Sequence, residues 1–306
     1  MRRIAAVDIG SNTVHVLVVE VGDEGNVDDV ARYAEIPELG ARVDRDGLLG
    51  EEGRAQALAA LDSVLEQARQ HGYELLLASA TAAVRNATDG AELLREASDR
   101  IGVPMRLISG RREAELSFLG VTLRNAVDGP WLMADLGGGS TELVVAEADD
   151  MREWTSLRIG SGAFAARLLS DPPQGDERVR LRQLVAERLD QAPAHEVERL
   201  VVTGGTASTL PQILNPEAPP ARLTVADLHE ARRRLDTGTA AEVEERSGIS
   251  AKRVKALRAG VDIFAEILSL YGLDELRVSR EGLRHGMVVG YLSQGDDWWR
   301  DSGTDA

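Results

Sequence analysis

The sequence predicts an α/β protein made of two copies of one domain. Strand-like and helix-like stretches alternate along the chain, a glycine-rich hairpin motif occurs twice in the same setting, and the composition is that of a packed globular chain. The 306 residues are 43% hydrophobic and carry a net charge of −16 with no cysteine.

The elements follow in order. "RRIAAVDIG", "TVHVLVVEV" and "VDDVARYAEIPEL" are apolar or alternating runs broken by "GSN" and "GDEGN", which predicts a meander of hairpins. "EEGRAQALAALDSVLEQARQHG" has helical spacing and stops at Gly72; "ELLLASA" reads as a buried strand, "ATDGAELLREASDRIG" as a helix, "MRLIS" as a strand and "GRREAELSFLGVTLRN" as a helix. The hairpins then restart with "WLMADLG", "STELVVAEA" and "EWTSLRIG". Helices follow from "GSGAFAARLL" and on to about Gln191, then a strand "RLVVTGG", a set of helices to Gly272, a strand "ELRVS" and a helix "REGLRHGMVVGYL". The polar tail contains Trp298 and Trp299, expected to pack back on the body.

Aligning "VDIGSNTVHVLVV" with "ADLGGGSTELVVA" gives apolar run, Asp, glycine loop, Thr and apolar run twice, 127 residues apart from Asp8 to Asp135. That period is too long for a solenoid and points to a duplicated domain. The boundary is expected near Gly120, giving domains 1–120 and 121–286, with 287–306 packing back on the first.

Composition excludes several functions. Without cysteine there is no disulfide framework, thiol catalysis or cysteine zinc site, and the five histidines lack metal-ligand spacing. The negative charge disfavours a nucleic-acid partner. No signal peptide or membrane span is read, so the expected location is the cytoplasm, away from membranes. Only Lys252 and Lys255 are lysines; the other cations are arginines, which grip phosphate in bidentate fashion.

Each glycine loop has two readings: a hairpin turn whose Asp and hydroxyls bond local backbone, or a concavity of N–H groups that cradles phosphate. In the second reading Ser11, Asn12 and Thr13, and then Gly137, Gly138, Gly139, Ser140 and Thr141, supply donors, while Asp8 and Asp135 hold Mg²⁺. A pair of such loops is what a polyphosphate chain requires. In "ISGRREAELSFLGVTL", Glu113 begins the inward stripe of a helix, and Glu115, about 200° round the wheel, is expected to face water. Glu113 is either a working carboxylate or a first-turn acid that complements the helix dipole. Arg85 is a candidate phosphate clamp. Gly204, Gly205 and Thr206 in "VVTGGTAST" either line a nucleotide site or make a tight strand-to-helix turn. Arg280, Arg284 and His285 cluster at the last helix start.

Together "VDIGSNTVHVLV", "ASATAAVRNA", "ISGRREAELSFLGV", "DLGGGSTELVV", "LRIGSGAF", "VTGGTAS" and "SREGLRHG" closely resemble the exopolyphosphatase and guanosine pentaphosphate phosphohydrolase family, of the actin, sugar kinase and heat-shock chaperone superfamily. The resemblance implies two duplicated ribonuclease H-like domains with an interdomain cleft that holds the active site. It implies that Glu113 is the catalytic glutamate, that Asp135 and Glu142 are metal-linked acids with Glu142 also catalytic, and that Arg85 points to the phosphates. Arg112 stands where the family has its first glutamate, and Glu115 where an arginine usually follows.

The expected reaction is in-line attack of water on a terminal phosphoanhydride, with Glu113 managing the water and Asp8 as a third acid near the metal. Mg²⁺ is the expected cofactor, with Mn²⁺ as substitute and K⁺ as an aid, and a homodimer is the expected assembly. Inorganic polyphosphate, in short chains, is the expected substrate, and guanosine pentaphosphate the alternative. A superfamily kinase, a noncatalytic binder of guanosine tetra- or pentaphosphate and a polymerising actin-like protein are the competing classes.

Overall fold

The computed structural model describes residues 1–23, 25–125 and 127–301, and the chain divides into two compact units, 1–120 with 283–306 and 121–282. The return to the first unit begins at Leu283, ahead of the expected 287, because the last helix belongs to that unit entire.

In the first unit β1 (Arg2–Ile9), β2 (Val14–Val21) and β3 (Val27–Glu35) form the antiparallel meander. Next come α1 (Leu39–Asp46), α2 (Gly50–Arg69), β4 (Leu75–Ala80), α3 (Ala82–Asn86), α4 (Gly90–Ile101), β5 (Arg106–Leu107) and α5 (Gly110–Thr122). Strand β4 joins parallel to β1, so the sheet order is β3-β2-β1-β4-β5. Central β1 is apolar at successive positions because both its faces are covered; Val7 and Ile9 pack with Leu61, Val64 and Leu65 of α2. The α2 spacing 57, 58, 61, 64, 65, 68 is one helical stripe, and each buried leucine in it contributes about 1.5–3 kcal/mol.

The second unit contains β6 (Pro130–Leu136), β7 (Thr141–Glu147), β8 (Asp150–Leu157), α6 (Ser161–Leu168), α7 (Gly175–Leu189) and β9 (Arg199–Thr203). It continues through α8 (Gly205–Leu214), β10 (Arg222–Thr224), α9 (Val225–Leu235), α10 (Ala240–Ser247), α11 (Ala251–Tyr271) and β11 (Glu275–Val278). Its sheet order is β10-β11-β9-β6-β7-β8. Omitting β10, the series β8-β7-β6-β9-β11 repeats β3-β2-β1-β4-β5 in direction and pairing, as expected of a duplicated ribonuclease H-like domain. Helices α9 and α10 start at capping boxes: Thr224 and Thr239 accept from the N–H groups of Asp227 and Glu242, whose carboxylates accept from the threonine N–H groups.

A buried charge network ties α7, α9 and α11. Arg178 donates to Asp236 and Asp262, and fully buried Arg258 donates to Asp171 at 2.7 Å and to the carbonyls of Leu235 and Gly238. After β11, α12 (Leu283–Gln294) and a 3-10 turn (Gly295–Asp297) complete the first unit, where Gly286 lies against the Leu116 carbonyl of α5. Trp298 is buried, and Arg106 stacks 4.7 Å from the centre of the Trp299 ring.

Candidate active site

The two glycine loops are built alike. In the first unit Gly10 N–H donates to the Thr13 carbonyl at 3.0 Å; in the second Gly137 N–H donates to the Ser140 carbonyl at 2.9 Å. Both loops also meet the start of a helix. The carbonyls of Ser11 and Asn12 accept from the N–H groups of Gly40 and Glu38, at the start of α1. Those of Gly137 and Gly138 accept from Ser161 and Ala163 of α6 at 3.0 and 2.9 Å, and Ser161 Oγ adds a bond to Gly137. In a trans peptide the N–H points opposite to the C=O. The N–H groups of Asn12 and Thr13, and of Gly138 and Gly139, therefore point away from these helices.

Left-handed backbone at the first glycine of each loop is not the device. Neither Gly10 nor Gly137 has a positive φ; a Cβ on either would come within 3.1 Å of the carbonyl that closes its loop. The closest approach is at Gly160, where a Cβ would lie 2.3 Å from the Gly138 oxygen. Thr141 departs from its expected role, since its fully buried hydroxyl donates to the Ile159 carbonyl. Ser11, Thr13 and Ser140 are buried in the loops and Asn12 is half-buried.

Asp8 and Asp135 occupy the same place, one residue before the end of the central strand. Asp8 pairs in register with His15 on β2 and Ser79 on β4; Asp135 pairs with Glu142 on β7 and Thr203 on β9. Ser79 Oγ donates to Asp8 Oδ1 at 3.2 Å, and Ser156 Oγ donates to Glu142 Oε1 at 2.7 Å. The equivalent positions thus hold an imidazole in one unit and a 1% exposed carboxylate in the other. Side chains directly opposite on antiparallel strands have Cβ atoms about 4.5–5.5 Å apart, and like charges there repel. A hard divalent cation suits the Asp135 and Glu142 pair, because Mg²⁺ needs only one or two carboxylates plus water and substrate oxygens. Among the described residues no group of three or more histidines, aspartates or glutamates is placed to hold a metal ion.

Gly204 is the second glycine feature. Its φ of 98° suits glycine, and a Cβ there would meet the Leu136 carbonyl at 2.5 Å and Asp135 Oδ1 at 2.9 Å. The turn is the tight strand-to-helix connection of the simpler reading, pressed against Asp135. Gly205 lies under the Arg253 guanidinium. Thr206 is not a lining residue: it is 1% exposed and packs on Gly260 of α11.

In the first unit Arg85 and Glu113 are brought together. Arg85 Nη1 donates to the Ile108 carbonyl at 2.7 Å, and both terminal nitrogens reach Glu113 Oε2 at 3.3 Å. Glu113 sits in the first turn of α5 and is buried. Glu115 is a correction. It is 7% exposed instead of solvated, with one oxygen on Arg111 Nε and the other on Arg112 Nη1, both at 2.9 Å. Arg112 beside it is fully buried.

The Ppx/GppA phosphatase family model matches residues 17–294 of this chain. The chain belongs to that family. The Ppx/GppA protein of Aquifex aeolicus is 26% identical over 96% of this chain and 99% of its own, with a TM-score of 0.78. The type II variant of that Aquifex aeolicus phosphatase is 27% identical over 94% and 99%, with a TM-score of 0.72. An exopolyphosphatase from Cytophaga hutchinsonii has the same fold at 24% identity over 95% and 98%, with a TM-score of 0.85.

In this Ppx/GppA phosphatase the candidate residues have neighbours that sequence reasoning did not single out: Ser79 on Asp8, Ser156 on Glu142, Thr203 in register with Asp135, and Arg253 over Gly205. Three are hydroxyl residues on strands, and only strand register would have marked them. His285 of "SREGLRHG" goes elsewhere: it lies in α12 with Nε2 2.9 Å from Asp29 Oδ1.

Proposed function

We propose that this chain is an exopolyphosphatase that releases terminal phosphate from inorganic polyphosphate, with guanosine pentaphosphate as the alternative substrate. The observation that carries this reading is the Arg85 and Glu113 pair, a cation and a buried carboxylate within 3.3 Å in a Ppx/GppA phosphatase. A guanidinium there is suited to a phosphoryl oxygen, and binding one loosens its hold on the carboxylate. Glu113 then orients the attacking water and takes its proton. The outward N–H groups of Asn12, Thr13, Gly138 and Gly139 are donors for phosphate oxygens and hold the chain in line.

Asp135 and Glu142 are the residues that would hold Mg²⁺, with Ser156 fixing Glu142. When bound, the ion neutralises charge on the phosphate oxygens. Gly204 keeps the neighbouring turn close against Asp135, which restricts the carboxylate.

The net charge of −16 opposes a long polyanion more than a short one, which supports short chains as substrate. Phosphate release from polyphosphates of graded length and from guanosine pentaphosphate, at fixed Mg²⁺ and ionic strength, tests the substrate. Glu113→Gln is expected to lower turnover on the order of 10²-fold or more with binding intact. Near-normal turnover in that variant would remove Glu113 from the mechanism.

A further inference from the structure

The Arg112 and Glu115 departure from the family pattern has a destination within the first unit. The Arg112 guanidinium donates through Nε and Nη2 to the Trp298 carbonyl at 2.8 and 2.6 Å, through Nη2 to Gln294 Oε1 at 2.6 Å and through Nη1 to Glu115. A second tie lies one turn earlier. Ser109 Oγ accepts from Arg112 N–H at 3.0 Å, which caps the N-terminus of α5, and gives its own proton to Asp301. Glu113 N–H in turn donates to the Ser109 carbonyl at 2.9 Å. The turn carrying Glu113 is thus held at Ser109 and at Arg112 by a segment nearly 200 residues later in sequence.

We propose that the segment Gln294–Asp301 is a clasp that sets the position of Glu113, with Arg112 as the positioning residue through which it acts. The inference rests on the reading of Glu113 as the residue that manages water. Arg112 touches no reacting group; it fixes where the first turn of α5 begins. A carboxylate that must meet a water at hydrogen-bond distance is sensitive to that placement, since an error of about 1 Å costs about 10²-fold in rate. A glutamate at position 112 would accept where the Trp298 carbonyl needs a donor, so the clasp is specific to the arginine.

The test is steady-state hydrolysis of a short-chain polyphosphate with Mg²⁺. Arg112→Met is expected to lower kcat about 10-fold or more with KM within about 2-fold, and Arg112→Lys to recover part of the loss. Ser109→Ala combined with Asp301→Ala changes only partly or fully exposed positions and is expected to lower kcat in the same way; this pair decides the matter if Arg112→Met does not fold. Leu61→Ala in α2, which loses stability without touching the clasp, is expected to keep its kcat. Unchanged kcat in the folded clasp variants, or an equal fall in Leu61→Ala, overturns the proposal. In a Glu113→Gln background Arg112→Met is expected to add little, because the two changes act through one group. A full additional loss there also overturns it. Near-normal turnover of Glu113→Gln alone would instead show that the reading of Glu113 had failed.

Discussion

His285 is buried against Asp29 and Arg32, and burial depresses its pKa below the usual 6.5, although the hydrogen bond and charge of Asp29 pull the other way. Burial would raise the Asp29 carboxyl, but hydrogen bonds from His285 and Arg32 outweigh it and hold that group well below 3.8. Both folded-state pKa values lie below their unfolded ones, so the unfolded chain takes up each proton first as pH falls. The stability that these two groups contribute is therefore present above about pH 6.5, declines below it as the unfolded histidine protonates, and declines again below about pH 4 as the unfolded carboxylate does. Thermal melts between about pH 7.5 and 5 are expected to show a falling Tm in the wild type and a flatter profile in His285→Gln. Parallel profiles in that window would rule out His285 as the source. The same residue shows how local signals mislead: in "SREGLRHG" it stands among arginines, and its actual partner, Asp29, is on β3.

Helices and strands are positioned by a few close backbone contacts. Gly286 of α12 is the tightest of them, since an added Cβ would fall 1.7 Å from the Leu116 oxygen of α5. Gly286→Ala must push the two helices apart and is expected to cost about 3 kcal/mol, the upper end for overpacking. Gly175→Ala, facing open space, is expected to change stability little. Denaturant midpoints compare the two, and equal midpoints would mean that α12 shifts freely. Legibility differed by element for similar reasons. The meanders and α2 have long apolar patterns and could be read directly. The five-residue α3 and the three-residue β10 are shorter than any pattern, so α3 falls unassigned between the strand and helix read around it and β10 falls within the set of helices. Helical spacing put Glu115 in water because the wheel carries no information about Arg112 and the tail that covers it. Thr206 was similarly concealed by its partner on α11, Gly260.

At the scale of the whole chain, the duplication is what marks the candidate site in the sequence: one glycine hairpin is ambiguous, but two with equivalent aspartates are a pattern. The copies differ at the residue opposite the aspartate, with His15 in one and Glu142 in the other. Chain-wide charge sets a separate expectation. With a net charge of −16, repulsion of a long polyphosphate is a screened, long-range effect. Raising ionic strength at fixed Mg²⁺ is expected to help long chains relative to short ones when phosphate release is compared. A ratio that stays constant or falls would mean that local contacts, not the overall field, set the length preference.

The bonds between each glycine loop and the following helix also have an electrical consequence. A peptide whose oxygen is drawn on by a helix N-terminus becomes more polarised, and its own N–H a stronger donor. Through Gly137 and Gly138 the partial positive charge of α6 is relayed one peptide further, to N–H groups that α6 itself does not reach. Gly160 keeps that relay short, because any side chain there would separate the helix from the loop it charges.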